Sequence, residues 1–152
     1  MFTMKVDLTT GIVDITVSGL WTVDEIGVFA RALESAARQV AASGKSHLML
    51  CDFTEVAIQP QEVAAALHRM AIASRGRARK CALYTKGVLA RLQAKRLAQA
   101  NDHLAVFADR DSARAWLLDD SQPKRPADHI YAALVQPIAR HAISQPSIEA
   151  AA

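Results

Sequence analysis

The sequence is poor in the features that most often announce a function. No apolar stretch approaches the roughly 20 residues needed to span a bilayer. The opening residues, MFTMKVDLTTG, lack the basic-then-apolar layout of a secretory signal, so a cytoplasmic location is expected. The two cysteines, Cys51 and Cys81, lie far apart without a CxxC spacing, and each sits inside an apolar run. They read as reduced core thiols rather than as a disulfide framework. His47, His68, His103, His129 and His141 show no HxxxH spacing, and only two cysteines could join them, so no metal site follows. There is no GxGxxG, no Walker-type glycine loop and no GxSxG. No enzyme activity and no cofactor are therefore expected. Aromatic residues number only eight, too few among the basic residues for stacking on single-stranded nucleic acid.

What is present points to one ordinary domain. A chain of 152 residues is long enough for a normal core, and 51% of it is hydrophobic, with a heavy share of alanine. The net charge of +3 hides an asymmetry. Nine of the 18 basic residues, from Arg69 to Arg96, occur without a single intervening acid, while the other nine share the rest of the chain with all 15 acids. Such a segment suits phosphate, lipid headgroups or an acidic protein.

Periodicity supplies the fold class. Lys5–Leu8 and Ile12–Ser18 are β-branched runs joined by Thr9-Thr10-Gly11, which reads as a hairpin. Thr22-Val23-Asp24-Glu25 is a capping box, flanked by Trp21 and Ile26 at the spacing of a hydrophobic staple. Ile26, Phe29, Ala30, Leu33, Ala37 and Val40 then form one apolar stripe that Gly44 ends. His47–Cys51 is a continuous apolar run, as expected for a strand covered on both faces. In LCDFTEVAIQPQEV the run ends on Asp52. A short connection follows, Pro60 takes the first helical position, and Glu62 falls in the first turn. Val63, Leu67, Met70 and Ala71 give that helix its buried stripe, and Arg75-Gly76-Arg77 breaks it. Cys81–Tyr84 is a strand, and Thr85 caps a helix reaching Gln99 or Ala100, with Lys86 in its first turn. Leu104–Phe107 is the last strand, and Asp109 caps a helix carrying Ala113, Trp116 and Leu117.

The order ββαβαβαβα implies an α/β domain over residues 1–118, with a mixed, mostly parallel five-stranded sheet covered by helices. Residues 119–129 read as a linker, and 130–152 as a weakly helical extension interrupted by Pro137.

This arrangement resembles the STAS family, which includes bacterial anti-sigma-factor antagonists and the cytoplasmic ends of sulphate transporters. It is more similar to the SpoIIAA-like branch, an uncharacterised bacterial set related in fold to the lipid-binding CRAL-TRIO (SEC14-like) domains. The resemblance covers roughly residues 2–118. It rests on Gly19-Leu20-Trp21-Thr22, on Leu50-Cys51-Asp52-Phe53-Thr54, and on Val106-Phe107-Ala108-Asp109 leading to Ala113-Arg114-Ala115-Trp116-Leu117. In the sigma-regulating members a segment like DFSxVxxxDSSG carries a phosphorylated serine at the helix start. Here Asp52-Phe53-Thr54-x-Val56 matches its first half, but Pro60-Gln61-Glu62-Val63 replaces DSSG and puts Glu62 at the phosphoacceptor place. A phospho-switch needs a hydroxyl that this position lacks.

The resemblance implies a non-enzymatic binding or regulatory domain. It would take a protein partner or small ligand in a crevice at the carboxyl ends of the parallel strands. Candidate crevice residues are Trp21, Asp52, Thr54, Gln61, Glu62, Thr85 and Lys86. Arg91 and Lys95, one helical turn apart, form a basic face. Kinship with CRAL-TRIO domains implies the alternative, a lipid or other hydrophobic ligand in an apolar cavity between sheet and helices, with the basic segment meeting headgroups. Nonspecific nucleic-acid binding through positions 75–96 is a third option, and an available edge strand and Ala-rich helix face leave homodimerisation open.

Overall fold

A hairpin opens the chain in the computed structural model, which describes residues 1–73, 78–99 and 103–121. Strand β1 (Phe2–Asp7) pairs antiparallel with β2 (Ile12–Gly19), from Phe2 opposite Val17 to Asp7 opposite Ile12. The turn is held by Asp7, whose Oδ1 accepts from the Thr9 N–H at 2.9 Å. Gly11 closes it at φ 76°, where a Cβ would stand 3.3 Å from the Ser46 carbonyl.

Helix α1 (Val23–Ala42) begins with the capping box that the sequence spells out. The Glu25 N–H donates to Thr22 Oγ1 at 3.3 Å, and Glu25 Oε2 accepts the Thr22 N–H at 2.7 Å. Trp21 and Ile26 are both buried at this corner. Of the apolar stripe, Ile26, Phe29 and Val40 are buried, together with Ala36, while Ala30, Leu33 and Ala37 are half-buried. At the far end Gly44, with φ 79°, donates its N–H to the Ala41 carbonyl.

The remaining elements are β3 (Leu48–Val56), α2 (Gln61–Ala73), β4 (Lys80–Tyr84), α3 (Val88–Gln99), β5 (Leu104–Phe107) and α4 (Arg110–Leu118). The sheet order is β1-β2-β3-β4-β5, with β2 to β5 parallel. Each parallel connection steps in the same direction to the next strand. Right-handed crossovers taken in one direction place their helices on one side. Helices α1, α2 and α3 therefore share a face, and α4 packs alone on the other, against β3, β4 and β5. Alternation along β3 serves both layers. Met49, Cys51 and Phe53 belong to the three-helix side, whereas Leu48 and Leu50 pack with Trp116 and Leu117 of α4. Asp109 caps α4 as its sequence implies, accepting the Ser112 N–H at 2.8 Å.

Four local expectations change. Strand β3 does not stop at Asp52 but continues to Val56, so Asp52 and Thr54 are strand residues, Asp52 lying opposite Tyr84. Pro60 stands just outside α2, its carbonyl accepting from the Ala64 N–H. Thr85 does not cap α3. It is fully buried, its N–H donating to the Phe107 carbonyl and its hydroxyl to the Phe53 carbonyl at 3.1 Å, so its hydrogen bonds link β4 to both neighbouring strands. Lys86 accordingly lies before α3 rather than in its first turn, and the first helical bond runs from Arg91 N–H to the Gly87 carbonyl.

The basic segment is also partly structural. Lys80 is only 4% exposed, with Nζ donating to the Trp116 and Asp119 carbonyls and lying 4.7 Å from the Trp116 ring centre. Arg79 pairs with Asp120. Asp119 closes α4 through its N–H to the Ala115 carbonyl, so the first residues expected to be linker are tied to the domain. The rest of the expected linker and the extension over 130–152 lie outside the described residues.

His47, buried where the chain enters β3, gives a pH signature. Burial pulls its pKa below 6.5, so the unfolded chain takes up the proton first. Stability contributed by the neutral ring is present above about pH 6.5 and is lost as pH falls below that value. Denaturation midpoints measured from pH 7.5 down to about pH 5.5 are expected to decline less steeply in His47→Gln than in the parent.

Candidate functional site

A cavity of about 720 Å³ lies between the three-helix layer and the sheet. Its floor is the sheet face carrying Val17, Met49, Cys51, Phe53, Cys81, Leu83 and Leu104. Trp21 and Phe29 close the end nearest α1. The wall residues explain why there is a void. Beside Leu67 and Met70, helices α2 and α3 present Ala64, Ala71, Ala90 and Ala94, whose single methyl groups leave part of the helix-to-sheet gap unfilled. The exposed lining residues Gln61, Ala65, His68 and Ile72 form one stripe on α2, and Arg96 and Gln99 face outward from α3. The mouth therefore runs between these two helices.

The floor holds both cysteines as free thiols. The Cys81 thiol, in hydrogen-bond contact, pushes the Cys51 pKa well above the ordinary thiol value, and burial pushes in the same direction. Cys51 is thus a protonated, soft apolar surface at neutral pH. Among the described residues no three His, Cys, Asp or Glu side chains come together as a metal site.

Gln59 is the polar keystone at one end of the cavity, and sequence reasoning passed over it. Only 8% exposed, it accepts the Trp21 N–H on Oε1 at 2.9 Å and donates Nε2 to the carbonyls of Gly19 (2.9 Å) and Ala57 (2.8 Å). Its own N–H and carbonyl meet the Gln93 amide at 3.4 Å each. One side chain thus joins the β2–α1 corner to the β3–α2 loop, and its backbone joins that loop to α3.

On the opposite sheet face a polar cluster surrounds Tyr84. Arg110 donates to the Tyr84 hydroxyl and to Asp14 Oδ1, both at 3.2 Å. Burial pushes the Asp52 carboxyl up, but hydrogen bonds from Thr54 and Tyr84 and the charge of Arg110 outweigh it and hold the pKa below the usual carboxylate value.

Compared by sequence, the chain matches no protein-family profile and no curated protein. Compared by structure, it is similar to an uncharacterised protein of the DUF3478 family from Shewanella loihica, described as having a SpoIIAA-like fold. The superposition has a TM-score of 0.59 at 16% identity and covers 76% of this chain and 93% of the other. The fold is SpoIIAA-like.

Within the SpoIIAA-like fold the residues singled out from sequence do not form one crevice. Trp21 is buried, with Nε1 donating to the Ser18 carbonyl at 3.1 Å, and together with Gln61 it lines the cavity. Asp52 belongs to the cluster on the opposite face, and its Oδ1 accepts the Thr54 N–H at 2.8 Å. Glu62 is exposed in the first turn of α2, where a carboxylate suits the helix dipole. Thr85 is consumed in strand bridging and Lys86 is exposed. Arg91 is half-buried, with Nη2 donating to the Thr85 carbonyl at 3.4 Å, and Lys95 is half-buried beside it.

Proposed function

We propose that this SpoIIAA-like domain is a non-enzymatic binding protein that holds an apolar small molecule in the cavity between its sheet and helices α1, α2 and α3. The alanine-walled void carries the reading. Its volume of about 720 Å³ falls inside the range of small-molecule sites, roughly 300–1,000 Å³. Its surface is mostly apolar, with polar side chains at the mouth and at the Gln59 corner. Such a lining recognises hydrocarbon by area rather than by hydrogen bonds, and the polar rim meets whatever polar end the molecule has. A second reading, a protein partner at the carboxyl ends of the strands, draws on Leu20 and Ile58. These side chains are 63% and 48% exposed in the loops beside the Gln59 corner.

Native mass spectrometry of protein gently purified from its own host separates the two. A released small apolar mass supports the cavity reading, and a second polypeptide supports the partner reading. The matching in vitro test titrates the parent and Ala64→Phe with parinaric acid, a fluorescent fatty acid. Ala64 lines the cavity and is only half-buried, so a phenyl ring there occupies void rather than displacing packed atoms. Affinity is expected to fall on the order of tenfold or more. Equal binding by both proteins would remove the cavity as the site.

A further inference from the structure

We infer that Cys51 and Cys81 form a two-thiol site on the cavity floor that takes a trivalent organoarsenical, the arsenic atom bridging the two sulfurs inside the void. Strand register sets the pair. Strands β3 and β4 run parallel with Met49 opposite Cys81 and Cys51 opposite Leu83, so the two cysteines are diagonal neighbours. Both lie on the sheet face under the three helices, and both line the cavity. Their thiols are in hydrogen-bond contact. Cys51 is only 5% exposed and Cys81 6%, so the void is the route by which a reagent meets them.

The diagonal spacing decides what can join the sulfurs. Diagonal neighbours on adjacent strands hold their Cα atoms roughly 7–8 Å apart, beyond the roughly 4.4–6.8 Å that a disulfide spans. Direct closure would need a shift of β3 against β4, and β2 and β5 hold these two strands inside the sheet. A single atom set between the sulfurs removes that demand. Trivalent arsenic meets two sulfurs at a bent angle, which leaves them near the separation of atoms in contact.

Charge decides which bridging atom suits the place. The thiols sit in an apolar wall with Met49, Phe53 and Leu83. Two thiolates on a monovalent ion would leave a net negative charge there, which is costly without polar partners. A zinc-like ion wants four ligands, and no three His, Cys, Asp or Glu side chains gather among the described residues. An organoarsenical ends neutral. When phenylarsine oxide condenses with the pair, two arsenic–sulfur bonds form and the bond to oxygen breaks. Both thiol protons leave with that oxygen as one water, and arsenic stays trivalent throughout. Its phenyl group needs only apolar room, which a void of about 720 Å³ supplies. The site depends on the shape of the void and not on the molecule proposed to fill it.

The test incubates the folded full chain with phenylarsine oxide and reads adducts by native mass spectrometry. One phenylarsenic group per chain is expected, kept in excess mercaptoethanol and removed by dimercaptopropanol, a competing dithiol. Cys51→Ala and Cys81→Ala, each checked for folding by circular dichroism, leave one sulfur and are expected to hold the group on the order of a hundredfold more weakly. An adduct that forms only in urea would show that the thiols are closed off from the cavity and would overturn the inference. So would an adduct equally stable in either single variant, or ready formation of a Cys51–Cys81 disulfide by diamide in the folded chain. Parinaric acid binding by a parent that forms no adduct removes this inference alone. An adduct on a parent that binds no parinaric acid supports it and counts against the hydrocarbon-binding reading.

Discussion

Trp21→Ala is expected to destabilise this protein by about 3–5 kcal/mol, measured as the shift of the urea unfolding midpoint by circular dichroism. The side chain is 5% exposed and packs with two other rings, 5.8 Å from Phe2 and 5.3 Å from Phe29 between centroids. Phe2 and Phe29 meet each other edge-to-face at 5.2 Å, so the three rings form a closed triangle joining β1, α1 and the corner between β2 and α1. Removing the indole opens a void contiguous with the cavity, which the neighbouring alanines cannot fill. The indole N–H to the Ser18 carbonyl is lost as well. Trp21→Phe keeps most of the area and loses the hydrogen bond, so it is expected to cost well under half as much. If the alanine variant unfolded within about 1 kcal/mol of the parent, the ring triangle would not be a structural centre.

Gln59→Ala is expected to cost about 1–3 kcal/mol, although the residue sits in a loop. The change leaves a buried N–H at Trp21 without its acceptor and takes a donor from the half-buried Ala57 carbonyl, while the Gly19 carbonyl keeps the Ala57 N–H. Each buried group stripped of a partner costs roughly 1–3 kcal/mol, with less than full additivity where water enters. Gln59→Glu separates this mechanism from simple loss of packing. Its carboxylate still accepts from Trp21 but faces two carbonyls with no proton to give. It should be at least as destabilising as alanine at neutral pH. Its carboxyl pKa would be raised in the folded state, so the deficit should shrink as pH falls through that raised value and the acid becomes a donor. A pH-independent deficit would argue against the hydrogen-bond account.

How much of this could be read from the sequence depends on how local each cause is. The capping box at Thr22 and Glu25, the Gly44 stop and the Asp109 cap involve residues within a few positions of each other, and all three stand as their spacing implies. The β3 extension was hidden because what accommodates Asp52 in a strand comes from Tyr84 and Arg110, far along the chain. Thr85 looked like a helix cap because its role is decided by Phe53 and Phe107 on neighbouring strands. Gln59 looked like an ordinary loop amide until two corners were brought together around it. The cavity is the hardest case, since it is defined by atoms the helices lack. Its one trace in the sequence is the surplus of alanine along α2 and α3. Lys80 shows the converse: counted as surface charge, it is buried under Trp116 because its partners are backbone carbonyls that no side-chain pattern announces.

The uncrossed strand order has a consequence for how the chain is made. Each parallel strand joins the edge of the one before it, so the sheet can lengthen strand by strand in the order in which a ribosome releases the chain. Nothing already placed has to part to admit a later strand, and each addition closes only the loop containing its own helix. The edge of β4 stays open until β5 arrives, and Lys80 and Leu48 lack their cover until α4 folds back across the far face. The nascent domain would pass its most adhesive moment late in synthesis, just before its ninth element docks.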